Sequence, residues 1–221
     1  LKESKLKLND VDFISFFDDD CTIHRNWFQN ILKLIKYYDA DIMTGPQVYK
    51  QNEKNTSEIF EKKIYKNNTL VNWAASNNVI FKKNIIKKEN IYFDKKLNKF
   101  GVGEDQLFFA TLNKLGYKII WSKKLKVFEK THLHRNSLKW VTNRSFRLGV
   151  LGMYIDTKLY GFINGYLINY MKFFYYLFSS ILSLLIINHK YYRYEFFNLL
   201  ARSIGRLLAP IYLKKTNFYK K

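Results

Sequence analysis

The chain has 221 residues, 38 Lys and Arg against 18 Asp and Glu for a formal charge of +20, and 18% aromatic side chains. That length suits one α/β domain with a smaller appendage and excludes two full domains. The single cysteine, Cys21, excludes an intrachain disulfide and a cysteine-based zinc site and fits a reducing, cytoplasmic setting. The charge calls for a polyanionic neighbour such as nucleic acid, anionic lipid or a diphosphate. The lysines are scattered in pairs such as Lys62-Lys63 and Lys87-Lys88, which argues against nucleic acid. Leu1 runs into a strand pattern with no basic-plus-apolar leader, so the opening reads as that of a fragment.

Residues 11–17 (VDFISFF) form a nearly continuous apolar run closed by Asp18, Asp19 and Asp20. This is the pattern of a buried parallel strand whose carboxyl end opens onto a site. From Asn26, the spacing of Trp27, Ile31, Leu34 and Ile35 predicts an amphipathic helix to about Tyr38. Residues 41–49 predict a strand interrupted by Gly45-Pro46, residues 50–57 a surface loop, and residues 74–81 a third strand with the polar insertion Ser76, Asn77 and Asn78. Residues 100–103 are a loop before Glu104-Asp105. Leu107, Phe108, Thr111, Leu112 and Leu115 then predict a helix stopped by Gly116, which puts both acids at a helix N-terminus. Residues 117–121 and 125–128 predict two more strands, and a strongly basic stretch follows through Arg135, Lys139, Arg144 and Arg147.

Beyond Gly149 the composition shifts. Residues 166–187 are apolar apart from Lys172 and a few Asn and Ser, and as a helix they would reach roughly 33 Å, the thickness of a hydrocarbon core. Lys172 would snorkel and the tyrosines suit an interface, so a span and a helix lying in the headgroup layer both fit. Membrane contact is common to both. Residues 195–213 read as a surface-lying amphipathic helix with Arg202 and Arg206 one turn apart.

Two groups of acids carry chemistry. A diphosphate leaving group needs its charge neutralised as it departs, and a divalent cation held by carboxylates does this; Asp18 and Asp20 alternate so as to share one cavity, and Asp19 points away. The bland reading is that the triplet caps the next helix or forms a turn. Asp105, with Glu104 beside it, is the candidate general base; the bland reading is that the two acids stabilise their helix.

In order and spacing, FISFFDDDCTIHRNWFQNIL, ADIMTGPQVY, SNNVIFKKN and FDKKLNKFGVGEDQLFFATLNKLGYKIIW resemble the second half of bacterial family 2 glycosyltransferases, above all the succinoglycan-type exopolysaccharide transferases. The resemblance runs from Val11 to about Gly152. It implies a partial GT-A fold, α/β with a mixed, mainly parallel sheet, over residues 1–150, followed by membrane-associated helices over 151–221. It places the metal-binding D-x-D pair on Asp18 and Asp20, with Mg or Mn as the ion, and the base on Asp105 of a Gly-Glu-Asp motif formed by Gly103, Glu104 and Asp105. Asp19, alternating away from the pair, points into the sheet edge or toward a nucleotide-sugar hydroxyl, and Asn78 matches an Asn of the family's donor-sugar strand, although a buried Asn satisfying backbone groups fits as well. Arg144 and Arg147 are assigned to the donor diphosphate by analogy, the other reading being a basic surface. His132 or His134 is a further candidate for the metal shell, and Trp140 either stacks on a sugar or packs against the apolar helix.

The activity implied is inverting transfer of a sugar from a nucleotide-diphosphate donor to a glycan or lipid-linked acceptor. It would take place at the cytoplasmic face of the bacterial inner membrane, against anionic lipid and without nucleic acid, in cell-surface polysaccharide synthesis. The family's first half, which binds the nucleotide base, is absent from this chain, so the fragment itself is expected to be inactive. The rival reading is a non-catalytic membrane-associated scaffold derived from a truncated GT-A domain.

Overall fold

A computed structural model describes residues 12–50, 65–98, 100–130, 137–185 and 190–215. The chain divides into two compact units, one of Leu1–Tyr92 with Phe108–Thr131 and the other of Phe93–Leu107 with His132–Lys221.

In the first unit, β1 (Phe13–Phe17), β6 (Asn78–Lys82), β3 (Ile42–Thr44), β7 (Ile119–Trp121) and β5 (Thr69–Leu70) line up in that order in one sheet. β2 (Cys21–Ile23), β8 (Val127–Lys130) and β4 (Gln47–Lys50) form a second. Among the described residues only β3–β7 and β4–β8 pair in parallel; β1–β6, β3–β6, β5–β7 and β2–β8 are antiparallel. The sheets are mixed, as expected, but not mainly parallel. β1, β3 and β7 do share a direction, through helical crossovers, and β6 inserts between the first two running the other way. β1 is therefore an edge strand among the described residues, half-buried along its length rather than buried.

Side-chain alternation divides the central strands between two helices. Met43, Ile80 and Ile120 are in register and pack with Trp27, Ile31 and Leu34 of α1 (Trp27–Tyr38). Ile42, Phe81 and Ile119 point to the opposite face, where Phe81 meets Phe108 and Phe109 of α4 (Glu104–Lys114) edge-on at 6.3 and 5.9 Å. Each such fully buried side chain contributes about 1.5–3 kcal/mol. α1 stops at Asp39, whose left-handed backbone lets its N–H close onto the Ile35 carbonyl. Two short helices, α2 (Asn84–Glu89) and α3 (Lys95–Asn98), connect β6 towards α4.

In the second unit, α5 (Leu138–Tyr160), α6 (Phe162–Leu185) and α7 (Lys190–Lys215) pack on one another. The composition shift near residue 150 marks no break, since α5 runs straight through it. α5 and α7 touch backbone to backbone: a Cβ on Gly149 would sit 2.3 Å from the Arg202 carbonyl oxygen, and one on Gly205 2.3 Å from that of Phe146. This contact lays the Arg206 guanidinium over Gly152 and onto Asp156, which also accepts from Lys172 Nζ at 2.7 Å. Lys172 thus turns inward to a buried carboxylate instead of snorkelling, and Arg206, 5% exposed, is not on a surface-lying face. No helix among the described residues is long and apolar enough to cross a membrane.

Pro210 lies inside α7 and has no N–H for the Arg206 carbonyl four residues back. Asn169 of α6 supplies the donor: its Nδ2 bonds that carbonyl at 3.1 Å while its Oδ1 accepts from Arg206 Nη1 at 3.3 Å. Asn169→Leu should therefore cost about 1–3 kcal/mol by orphaning buried groups. In a Pro210→Ala background the restored N–H should make the same change cheaper, and a double-mutant cycle of urea unfolding measures the difference.

Candidate active site: an acidic turn and a Gly-Glu-Asp loop

β1 delivers Asp18 to the end of the larger sheet, and the chain turns at once through Asp19 and Asp20 into β2 of the smaller one. The Cys21 N–H closes the turn onto the Asp18 carbonyl at 3.1 Å, and the Lys130 N–H holds the Asp20 carbonyl at 3.1 Å. Asp18 and Asp19 are exposed and Asp20 is half-buried.

What fixes the turn lies beneath it. Phe17 packs edge-on against Trp27 at 5.1 Å, and the fully buried indole donates its N–H to Asn78 Oδ1 at 3.2 Å. Asn78 Nδ2 donates to the Leu125 carbonyl at 2.6 Å and reaches the Pro46 carbonyl at 3.5 Å. Both ends of this amide thus engage protein groups, in keeping with the reading of Asn78 as a buried residue satisfying backbone. Gly45 completes the junction: a Cβ there would lie 2.2 Å from the Leu125 carbonyl oxygen, so only glycine permits the approach.

Glu129 joins the acids already named. It faces Cys21 across the β2–β8 ladder and is 3% exposed. Burial pushes the Cys21 thiol up to about 12, and the negative charges of Glu129, Asp18 and Asp20 act in the same direction. One thiol therefore senses three carboxylates. The sequence signal was available in VFEK, where strand alternation puts Glu129 in the phase of buried Val127. Asp18 and Asp20 offer oxygen donors suited to a hard divalent cation. Among the described residues no group of three or more His, Cys, Asp and Glu is disposed to hold an ion. His132 and His134 lie outside the described residues.

The second unit holds the remaining candidates. Gly103 has φ 93°, and its carbonyl accepts the Leu107 N–H at 3.0 Å to open α4. Asp105 Oδ1 accepts the Gln106 N–H at 2.7 Å, whereas Glu104 Oε2 is buried with no hydrogen-bond partner. Arg147 Nη1 donates to the Phe100 carbonyl at 2.8 Å and so fixes the loop that leads to Gly103. Arg144 stacks over the Trp140 ring at 5.2 Å, an arrangement absent from the sequence reading of that tryptophan. Thus Asp18 and Asp20 are gathered with Glu129 in the first unit, and Gly103, Glu104 and Asp105 with Arg147 in the second.

These features go with a sequence that resembles GT-A-like glycosyltransferases. The chain is 28% identical over 145 residues to the succinoglycan biosynthesis protein ExoM of Rhizobium meliloti, a match covering 62% of this chain and 46% of ExoM. It therefore spans under half the length of that curated relative. No protein-family model matches the chain. Among solved structures, S. aureus TarS 1-349 in complex with UDP-GlcNAc superposes at a TM-score of 0.42 with 15% identity, covering 88% of this chain and 57% of TarS. Uncomplexed TarS 1-349 gives the same TM-score at 14% identity over 92% and 67%.

The thiol reports on the acid cluster. Removing the Glu129 charge stabilises the thiolate, so Glu129→Gln should lower the Cys21 pKa from about 12 while burial keeps it above the ordinary value of 9.0. Alkylation by iodoacetamide, followed against pH, should accelerate in the variant at any pH below the wild-type midpoint. An unchanged profile would show that Glu129 does not act on this thiol.

Proposed function

We propose that the complete protein is an inverting family 2 glycosyltransferase that moves a sugar from a nucleotide-diphosphate donor to a glycan or lipid-linked acceptor. The setting proposed is cell-surface polysaccharide synthesis at the cytoplasmic face of a bacterial membrane. The observation that supports this most is the acidic turn, in which backbone hydrogen bonds hold the main chain of Asp18 and Asp20 where the chain passes from β1 into the second sheet.

Asp18 and Asp20 would hold Mg or Mn through their carboxylate oxygens, the hard donors such a cation takes. When bound, the cation would neutralise charge gathering on the diphosphate. Asp105 would accept the proton of the acceptor hydroxyl, whose oxygen then bonds to the sugar C1 in line with the departing diphosphate. The C1–O electron pair leaves with the nucleoside diphosphate, and C1 inverts. Glu104, with its buried and unbonded Oε2, would orient the acceptor beside Asp105. Arg147 would act through the loop it holds at Phe100.

Asp105→Asn in the complete gene product should lower kcat by about 10²–10⁴-fold with little change in donor KM. Chelation should abolish turnover and Mn should restore it. Turnover indifferent to both chelation and Asp20→Ala would remove the metal role, and full activity in Asp105→Asn would remove the base.

A further inference from the structure

α6 is built inside out. Its fully buried positions are polar or small: Asn169 and Ser180 are 0% exposed, Ser183 is 7%, and a Cβ on Gly165 would sit 2.4 Å from Thr157 Cα of α5. Its outward positions are large and apolar, with Ile163 74%, Leu167 59%, Met171 71%, Phe174 63% and Phe178 63% exposed. A helix in contact with water places these residues the other way round. Small and polar residues between helices, with hydrocarbon outside, are the arrangement adopted where the surroundings are lipid. Single exposed apolar residues are ordinary, but a stripe repeating every three or four residues along a helix about 36 Å long is not.

The charge around this face is complementary to one surface in particular. At the start of α6, Phe162 and Tyr166 line a groove with Ile211 of α7, and Lys214 and Lys215 close it. Both lysines are exposed, and the chain as a whole carries +20. An apolar face edged by ammonium groups fits acyl chains beneath anionic headgroups. The apolar stripe occupies one face of α6, whose other face packs on α5 and α7, and a one-sided face of this kind lies along the bilayer.

We propose that the outer face of α6, extended by the groove at Phe162 and Ile211, seats the chain in the plane of an anionic lipid bilayer. This docking does not depend on the sugar-transfer reading, and Asp20→Ala should leave it unchanged. The test is co-sedimentation of the full chain with mixed phosphatidylcholine–phosphatidylglycerol vesicles and with pure phosphatidylcholine vesicles. Wild type should pellet with the mixed vesicles, and Phe174→Glu with Phe178→Glu should abolish pelleting while circular dichroism and Tm stay at wild-type values, as both positions are exposed. Lys214→Ala with Lys215→Ala should weaken partitioning onto the anionic vesicles by about thirtyfold and leave neutral vesicles unaffected. Phe174→Trp should show a blue-shifted indole emission on adding vesicles. Wild type that stays in the supernatant, or an emission from the Phe174→Trp variant that does not move, overturns the proposal. So does a dimer in light scattering that the glutamate pair dissociates without any vesicle binding, which would assign the face to a second copy.

Discussion

A single buried carboxamide holds the first unit's junction in place. Asn78 receives the Trp27 indole on one side and bonds the Leu125 and Pro46 carbonyls on the other. It thereby joins α1, β6 and the two loops through which β3 and β7 pass into the smaller sheet. A buried amide with partners at both ends is directional in a way that apolar packing is not. Phe17, packed edge-on against the same Trp27, carries that constraint to Asp18, the next residue. The acids of the turn therefore project from a fixed point rather than from a free loop.

In the first unit the negative charges of Glu129, Asp18 and Asp20 all bear on the Cys21 thiol and raise its pKa. In the helical unit, Asp156 is met by both Arg206 and Lys172, so its charge is compensated from within. That network takes in Asn169 on the inner face of α6, which supplies the donor that Pro210 withholds from the Arg206 carbonyl.

Much of this was legible in the residues. The run closed by Asp18–Asp20, the helix of Trp27, Ile31 and Leu34, the break at Gly45-Pro46 and the acids opening α4 all correspond to elements found in place. Strand direction was not legible, because an apolar run such as NVIFK looks the same whichever way it runs, and only the position of β6 between β1 and β3 decides it. β2 and β5 are three and two residues long, too short for any periodicity to register. Lys172 and Arg206 were read from the polarity of their own helices, whereas their positions follow from Asp156 on a third. Glu129 takes no role from the sequence, because a lone acid in a strand resembles a surface residue unless its phase against Val127 is counted.

Metal binding tests, independently of turnover, the proposal that Asp18 and Asp20 hold a divalent cation against a diphosphate. Titrating Mn into the complete gene product with a nucleoside diphosphate, followed by electron paramagnetic resonance, should show one site per chain that is lost in Asp18→Asn and in Asp20→Asn. Undiminished binding in both variants would show that the cation is not held at the acidic turn.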